Sequence, residues 1–155
     1  MLCYNIPCVK RDFLLKKTII MTKEMKLSPH ERTVLTLLGK TEKPLTAYAI
    51  LGELQDKGFR APPTVYRALE SLIKKGLVHR IESLNAYTAC SHSEDHGHAS
   101  PFAICNSCGT VEEIDSEAIA RAVKKVAGQF FAQIEKRVLE LSGICHSCAK
   151  TQRRA

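Results

Sequence analysis

"PPTVYRALESLIKKGLVHRIESLNAYTAC", residues 62–90, holds the decision about the fold. Ala61, Pro62 and Pro63 are read as the break that precedes a third helix. The helix expected from about Thr64 sets Val65, Leu69, Leu72 and Ile73 at three-to-four spacing, and Gly76 ends it. The period then changes. "LVHRIE" and "AYTAC" alternate, are rich in Val, Ile, Tyr and Thr, and are joined by Ser83, Leu84 and Asn85, which is the pattern of a β-hairpin.

Upstream, "SPHE" offers Ser28 as N-cap, Pro29 at the first helical position and Glu31 three residues on, a capping box. A helix from there to about Leu38 carries Val34, Leu35 and Leu38 on one face. Polar "KTEKPL" follows, Thr46 caps a second helix bearing Ile50, Leu51 and Leu54, and Gly58 stops it. Three short helices and then a hairpin predict a winged helix-turn-helix, with the third helix in a DNA major groove and the hairpin as its wing.

The 155 residues are 45% apolar and 25% charged, a globular balance. A formal charge of +7 and a pI of about 9.1 favour a polyanionic partner, nucleic acid first. No stretch approaches the ~18–20 apolar residues of a membrane span. Lys16 and Lys17 interrupt "FLLKKTIIM", so it also fails as a signal-peptide core. A cytoplasmic protein is expected, and there seven cysteines point to metal rather than disulfides; the odd number also argues against a closed disulfide framework. No Gly-rich phosphate loop or nucleophile elbow appears. His92, Glu94 and the Cys105–Cys108 pair imitate a zinc-deaminase signature, but Ile104 stands where its proline belongs, and Cys145 and Cys148 would be left over. The chain is read as a non-enzyme with no small-molecule substrate.

Residues 91–100, polar and holding three histidines, read as a hinge. Beyond it, "PFAIC" and "TVEEI" are expected as strands around a Cys-x-x-Cys-Gly turn. "SEAIARAVKKVAGQFFAQIEKRV" reads as one amphipathic helix, its stripe formed by Ile119, Val123, Val126, Phe130, Ile134 and Val138. "VLELSGIC" returns as a strand. So small a half is expected to complete its core by dimerising. The expected fold class is α+β, an N-terminal winged helix-turn-helix domain at 27–90 followed by a small α/β dimerisation domain at 101–148. The hinge lies between them and a basic tail occupies 149–155. Residues 1–26 are an extension or a first helix. Because Met21 opens "MTKEMKLSPHE", residues 1–20 are read as a mis-called extension in which Cys3 and Cys8 carry no role.

Two metal sites are expected. Cys105 and Cys108 with Cys145 and Cys148 supply the four thiolates of a closed, structural Zn²⁺ site. A redox pair, the alternative, usually opens a helix in a thioredoxin-like unit, and neither pair clearly does so. His79, Cys90, His96, His98 and Glu113 form a second group around the hinge, and its soft sulfur suits Zn²⁺ over Fe²⁺.

"LSPHERTVL", "LTAYAIL", "PPTVYRALESLIKKGLVHRIES", "NAYTAC", "ICNSCG" and "ICHSC", in that order with the histidine-rich hinge, resemble the ferric uptake regulator family and its zinc-responsive branch. The resemblance spans about residues 27–148. It implies a homodimeric repressor that binds near-palindromic double-stranded operator DNA when zinc-loaded and silences zinc-uptake genes. One structural zinc per subunit would sit on Cys105, Cys108, Cys145 and Cys148. One regulatory zinc would take His79, Cys90 and His98, with His96 and Glu113 competing for the fourth place. Tyr48, Thr64, Tyr66 and Arg67 would face DNA, Arg67 touching a base or phosphate. An iron- or peroxide-responsive member of the family is the nearest alternative, and Cys90 tells against it, because those sites usually rely on histidine and carboxylate. A zinc-buffering or interaction module without operator specificity is the other; the "TVYR" helix tells against that.

Overall fold

The structure, a computed structural model, describes residues 26–90, 101–114, 117–133 and 137–152. The expectations about residues 1–20, Cys3, Cys8 and the hinge at 91–100 lie outside these residues.

Ser28 caps α1 (Pro29–Lys40) in a complete capping box. Its hydroxyl accepts from the Glu31 amide at 3.3 Å, and its own amide donates to Glu31 Oε2 at 2.6 Å. Thr46 caps α2 (Ala47–Leu54), and a short 3₁₀ turn at Gln55–Lys57 then closes on Gly58, whose φ of 89° is left-handed. The third helix, α3, spans Pro62–Lys74 and so begins two residues before Thr64. Prolines carry no amide to leave unpaired in a first turn, so they belong inside the helix rather than ahead of it. Val34, Leu35, Leu38, Ile50, Leu54, Val65, Leu69 and Leu72 meet in one core, with Leu51 and Ile73 half-buried at its rim.

Glu31 is buried and bonds Lys75 at 2.7 Å, tying the start of α1 to the end of α3. Burial alone would raise its pKa, but hydrogen bonds from Lys75, Ser71 and the Ser28 amide prevail and hold the carboxyl at about 2. A folded-state pKa below the unfolded one stabilises the fold above the ordinary value of 4.5, and the contribution fades as pH falls toward 2. Glu31→Gln is therefore expected to lower stability at pH 7 by about 1–3 kcal/mol in urea unfolding. The deficit should shrink as pH drops below about 4.5. A deficit constant through that window contradicts the assignment.

The hairpin forms as β1 (Val78–Ile81) and β2 (Ala86–Ala89), antiparallel, with His79 opposite Thr88 and Ile81 opposite Ala86. Leu45 bridges to Tyr87, fastening the α1–α2 connection to the hairpin. Because side chains alternate, the hairpin has two working faces. Val78, Tyr87 and Ala89 pack on the helical core, whereas Ile81 joins Phe102 and Ile104 of a second sheet. That sheet has the order β4-β3-β5: β3 (Phe102–Cys105) runs antiparallel to β4 (Val111–Glu113) and parallel to β5 (Glu140–Gly143). The fold is thus α+β, three helices and a wing followed by a small mixed sheet.

One expectation for this half needs correction. The amphipathic helix, α4, covers only Glu117–Ala127, not the whole stripe to Val138. At Gly128 a Cβ would stand 2.9 Å from the Lys124 carbonyl oxygen, and the amides of Gln129 and Phe130 close on Val126 and Ala127 in tighter three-residue turns. A further helix, α5 (His146–Gln152), begins inside the last Cys pair and includes the first residues of the stretch expected as a basic tail. Val126, Phe130, Phe131 and Leu141 remain largely exposed on this half. Among the described residues, no helix is long and apolar enough to cross a membrane.

Candidate metal centres

Cys105 closes β3, and the chain turns through Cys108 and Gly109, whose φ of 73° favours glycine. The parallel ladder then brings Gly143 beside Cys105, which delivers Cys145 and the first turn of α5 to the same corner. All four sulfurs lie within 4.8 Å of one another. Cys105 and Cys148 are 4.0 Å apart and Cys108 and Cys145 3.9 Å. A tetrahedron of Zn–S bonds of about 2.3 Å has edges of about 3.8 Å, so the four thiols already match a zinc site. The second pair does open a helix, which the sequence did not make clear, yet its sulfurs face the first pair across the cluster.

The surroundings favour the metal-binding form. The Cys145 amide donates to Cys105 Sγ at 3.3 Å, and this bond, helped by the Cys108 amide, lowers the Cys105 thiol to about 6. Thr110 Oγ1, 3.2 Å from Cys108 Sγ, pulls that thiol below its ordinary value. Cys148 stands at about 11: Ser107 pulls it down, but the thiols of Cys145 and Cys108, together with burial, outweigh that. Four thiols this close cannot all ionise without a cation among them. Thr110 and Ser107 were not singled out from the sequence. A hydroxyl two residues after the last cysteine of "CNSCGT" was the available signal.

The second group assembles across the junction between wing and sheet. The Cys90 amide donates to the Leu77 carbonyl at 2.9 Å, extending the hairpin register by one pair. Cys90 therefore lies on the same face as His79, as its diagonal neighbour. Glu113 reaches the place from β4, and its Oε1 is 3.4 Å from His79 Nε2. The Phe102 ring, 5.3 Å from the imidazole centre, supports it from the sheet. Ligand atoms of His79, Cys90 and Glu113 all lie within 4.8 Å of one another. Tetrahedral N–Zn–O geometry needs an N···O edge of about 3.4 Å, so this set also fits zinc and leaves one position to fill. His96 and His98 lie outside the described residues.

The residues expected at DNA belong to two consecutive helices, α2 and α3. Tyr48, near the start of α2, is 69% exposed, and Tyr66 and Arg67 project from the first turns of α3, with Thr64 half-buried beside them. Lys57 and Arg60, also exposed, extend the basic character along the connection between the two helices.

Residues 22–142 match the family model described as the Ferric uptake regulator family. The chain belongs to the ferric uptake regulator family. Its members are transcription regulators rather than enzymes. Over 135 residues the chain is 32% identical to the zinc uptake regulation protein of Escherichia coli (strain K12), which covers 86% of this chain and 79% of that one. Among solved structures, a zinc uptake regulator complexed with zinc and DNA is similar with a TM-score of 0.79 at 30% identity, covering 94% of this chain and 98% of that one. Holo XcZur is similar with a TM-score of 0.77 at 33% identity, covering 90% and 99%. The winged helix followed by a small mixed sheet is the arrangement this chain shares with those two structures.

Proposed function

We propose that this chain is a zinc-responsive repressor that binds operator DNA as a zinc-loaded homodimer in the cytoplasm and silences zinc-uptake genes. The observation that carries the reading is the His79–Cys90–Glu113 group, three ligand atoms within 4.8 Å drawn from both sides of the wing–sheet junction. A thiolate in that group favours zinc over iron. The zinc- and DNA-bound regulator that this fold resembles supports the same choice.

Cys105, Cys108, Cys145 and Cys148 hold the structural zinc, which closes the dimerisation part at 101–148. His79, Cys90 and Glu113 hold the regulatory zinc, with His98 in the fourth place and His96 outside the set. Glu113 thus moves ahead of His96, on the 3.4 Å contact with His79. Zinc held there is a tetrahedral tie without redox chemistry. His79 and Cys90 move with the wing of the DNA-binding part at 27–90, and Glu113 with the sheet, so holding all three on one ion restricts how the two parts turn about residues 91–100. The zinc-favoured orientation sets two recognition helices, one from each subunit, into successive major grooves. The exposed Val126, Phe130, Phe131 and Leu141 form the surface that a second copy covers.

Tyr48, Thr64, Tyr66 and Arg67 form the DNA face. Arg67→Ala is expected to weaken binding to a fragment from upstream of the zinc-uptake genes by about 10- to 100-fold. Zinc uptake by the protein should be unchanged. Footprinting and fluorescence anisotropy in excess zinc check this, and unaltered affinity would remove Arg67 from the DNA face.

A further inference from the structure

The sheet grips the wing in a second place that contains no metal ligand. In the register of the second sheet, Phe102 is opposite Glu113 on one side and opposite Glu140 on the other. Residues in direct register share a face, so Glu113, Phe102 and Glu140 form one row across the three strands, all directed at the wing. Strand β1 and its turn meet that row in order. His79 lies against Glu113 and the Phe102 ring. Ile81, fully buried, packs with Phe102. Just beyond, the Glu140 carboxylate accepts from two consecutive amides of the hairpin turn, Glu82 N–H at 2.7 Å and Ser83 N–H at 3.0 Å.

We propose that Glu140 is a positioning residue for zinc sensing, a latch on the wing turn that shares the closed orientation with the regulatory site and so raises that site's zinc affinity. The inference rests on the reading of His79, Cys90 and Glu113 as the regulatory ligands. The two contacts lie at opposite ends of one row, and both require the wing to be seated on the sheet. Whatever seats the wing at one end reduces the cost of seating it at the other, and by linkage each contact strengthens its neighbour. Without the latch the wing is seated less of the time, and apparent zinc affinity falls in proportion to that lost fraction. The bond is of a strong kind, a carboxylate on adjacent backbone amides. Although burial opposes it, hydrogen bonds from the Ser83 hydroxyl and from the Ser83 and Glu82 amides keep the Glu140 carboxyl below its ordinary value, so it is the charged form that holds the turn.

The test uses the full chain with its structural site filled, comparing the parent with Glu140→Gln and Glu140→Asp. Glutamine keeps the shape and presents an N–H₂ group to one of the two amides, while aspartate keeps the charge but is too short to span both. Competition with a chromophoric chelator should show the regulatory zinc bound about tenfold more weakly in each variant, with the structural zinc and the dimer mass unchanged. The anisotropy titration of operator DNA should shift by the same factor to higher free zinc and reach the parent's plateau. Amide exchange at Glu82 and Ser83 should quicken in the variants. Unchanged regulatory zinc affinity in both variants overturns the proposal. So does a lowered operator plateau accompanied by loss of structural zinc or of the dimer, which assigns Glu140 to holding up the sheet. A parent protein that binds no second zinc, or binds operator without it, overturns the regulatory reading itself and this inference with it. That failure is recognised in the parent rather than in the variants.

Discussion

Cys105→Ser is expected to leave the protein without its structural zinc and, as a consequence, without a stable dimer. The four sulfurs within 4.8 Å of one another join the β3–β4 turn to the end of β5 and the first turn of α5. Among the described residues the apolar packing beside that corner is small: Ile104, Phe102 and Ile81, with Val111 at the edge. In small zinc domains the ion supplies an apparent ~10–16 kcal/mol of folding free energy, so losing a quarter of its ligand set is a large perturbation. Cys105 is the buried one of the four, and its sulfur accepts the Cys145 amide at 3.3 Å, so serine there also disturbs the join between β3 and the last Cys pair. The variant should melt about 10 °C or more below the parent and elute as a monomer or aggregate. Zinc content by elemental analysis should fall by one ion per chain. A Cys105→Ser dimer with the parent's melting temperature and zinc content would contradict the structural assignment.

Cys90→Ser is expected to spare the fold and to weaken the zinc response by about 100-fold or more. Cys90 sits at the edge of the hairpin, half-buried, and its backbone bond to Leu77 does not depend on the side chain. Serine is nearly the same size but a poor zinc ligand at neutral pH, leaving His79 and Glu113 without their soft partner. Half-saturation of operator binding should move to about 100-fold higher free zinc, or beyond reach, in a protein whose structural zinc, dimer mass and melting temperature are those of the parent. Cys90→Ser and Cys105→Ser thus separate the two centres: one variant loses sensing and keeps its architecture, the other loses architecture first.

The winged helix was legible because its signals are local. Ser28 with Glu31, Thr46, Gly58, the double proline and the change of period at Gly76 each act within a few residues, and each does in the fold what its chemistry indicates. The first misplacement, the start of α3 at Pro62, came from treating prolines as punctuation before a helix when they serve equally well in its first turn. The end of α4 was missed because the stripe of apolar residues continues past Gly128; periodicity registers which face is apolar and is blind to a backbone that turns. The Cys pairs were legible as one group of four thiols, since each Cys-x-x-Cys turn brings two sulfurs to the same place. Their hydrogen-bond partners Thr110 and Ser107 were not. Glu113 could be named from sequence, but its position beside His79 could not, because it depends on the packing of β1 against Phe102. Glu140 carried no local signal at all. Its partners are 58 and 57 residues away, and only the parallel β3–β5 register brings them to it.

The most direct measurement of the central claim is operator affinity, by fluorescence anisotropy, as a function of buffered free metal, with the structural site filled throughout. Run with Zn²⁺ and separately with Fe²⁺, the parent is expected to bind operator steeply with zinc and weakly with iron at the same free concentration, and Cys90→Ser to respond to neither at that concentration. Operator binding that follows iron, or that is complete before any regulatory zinc is added, would contradict it.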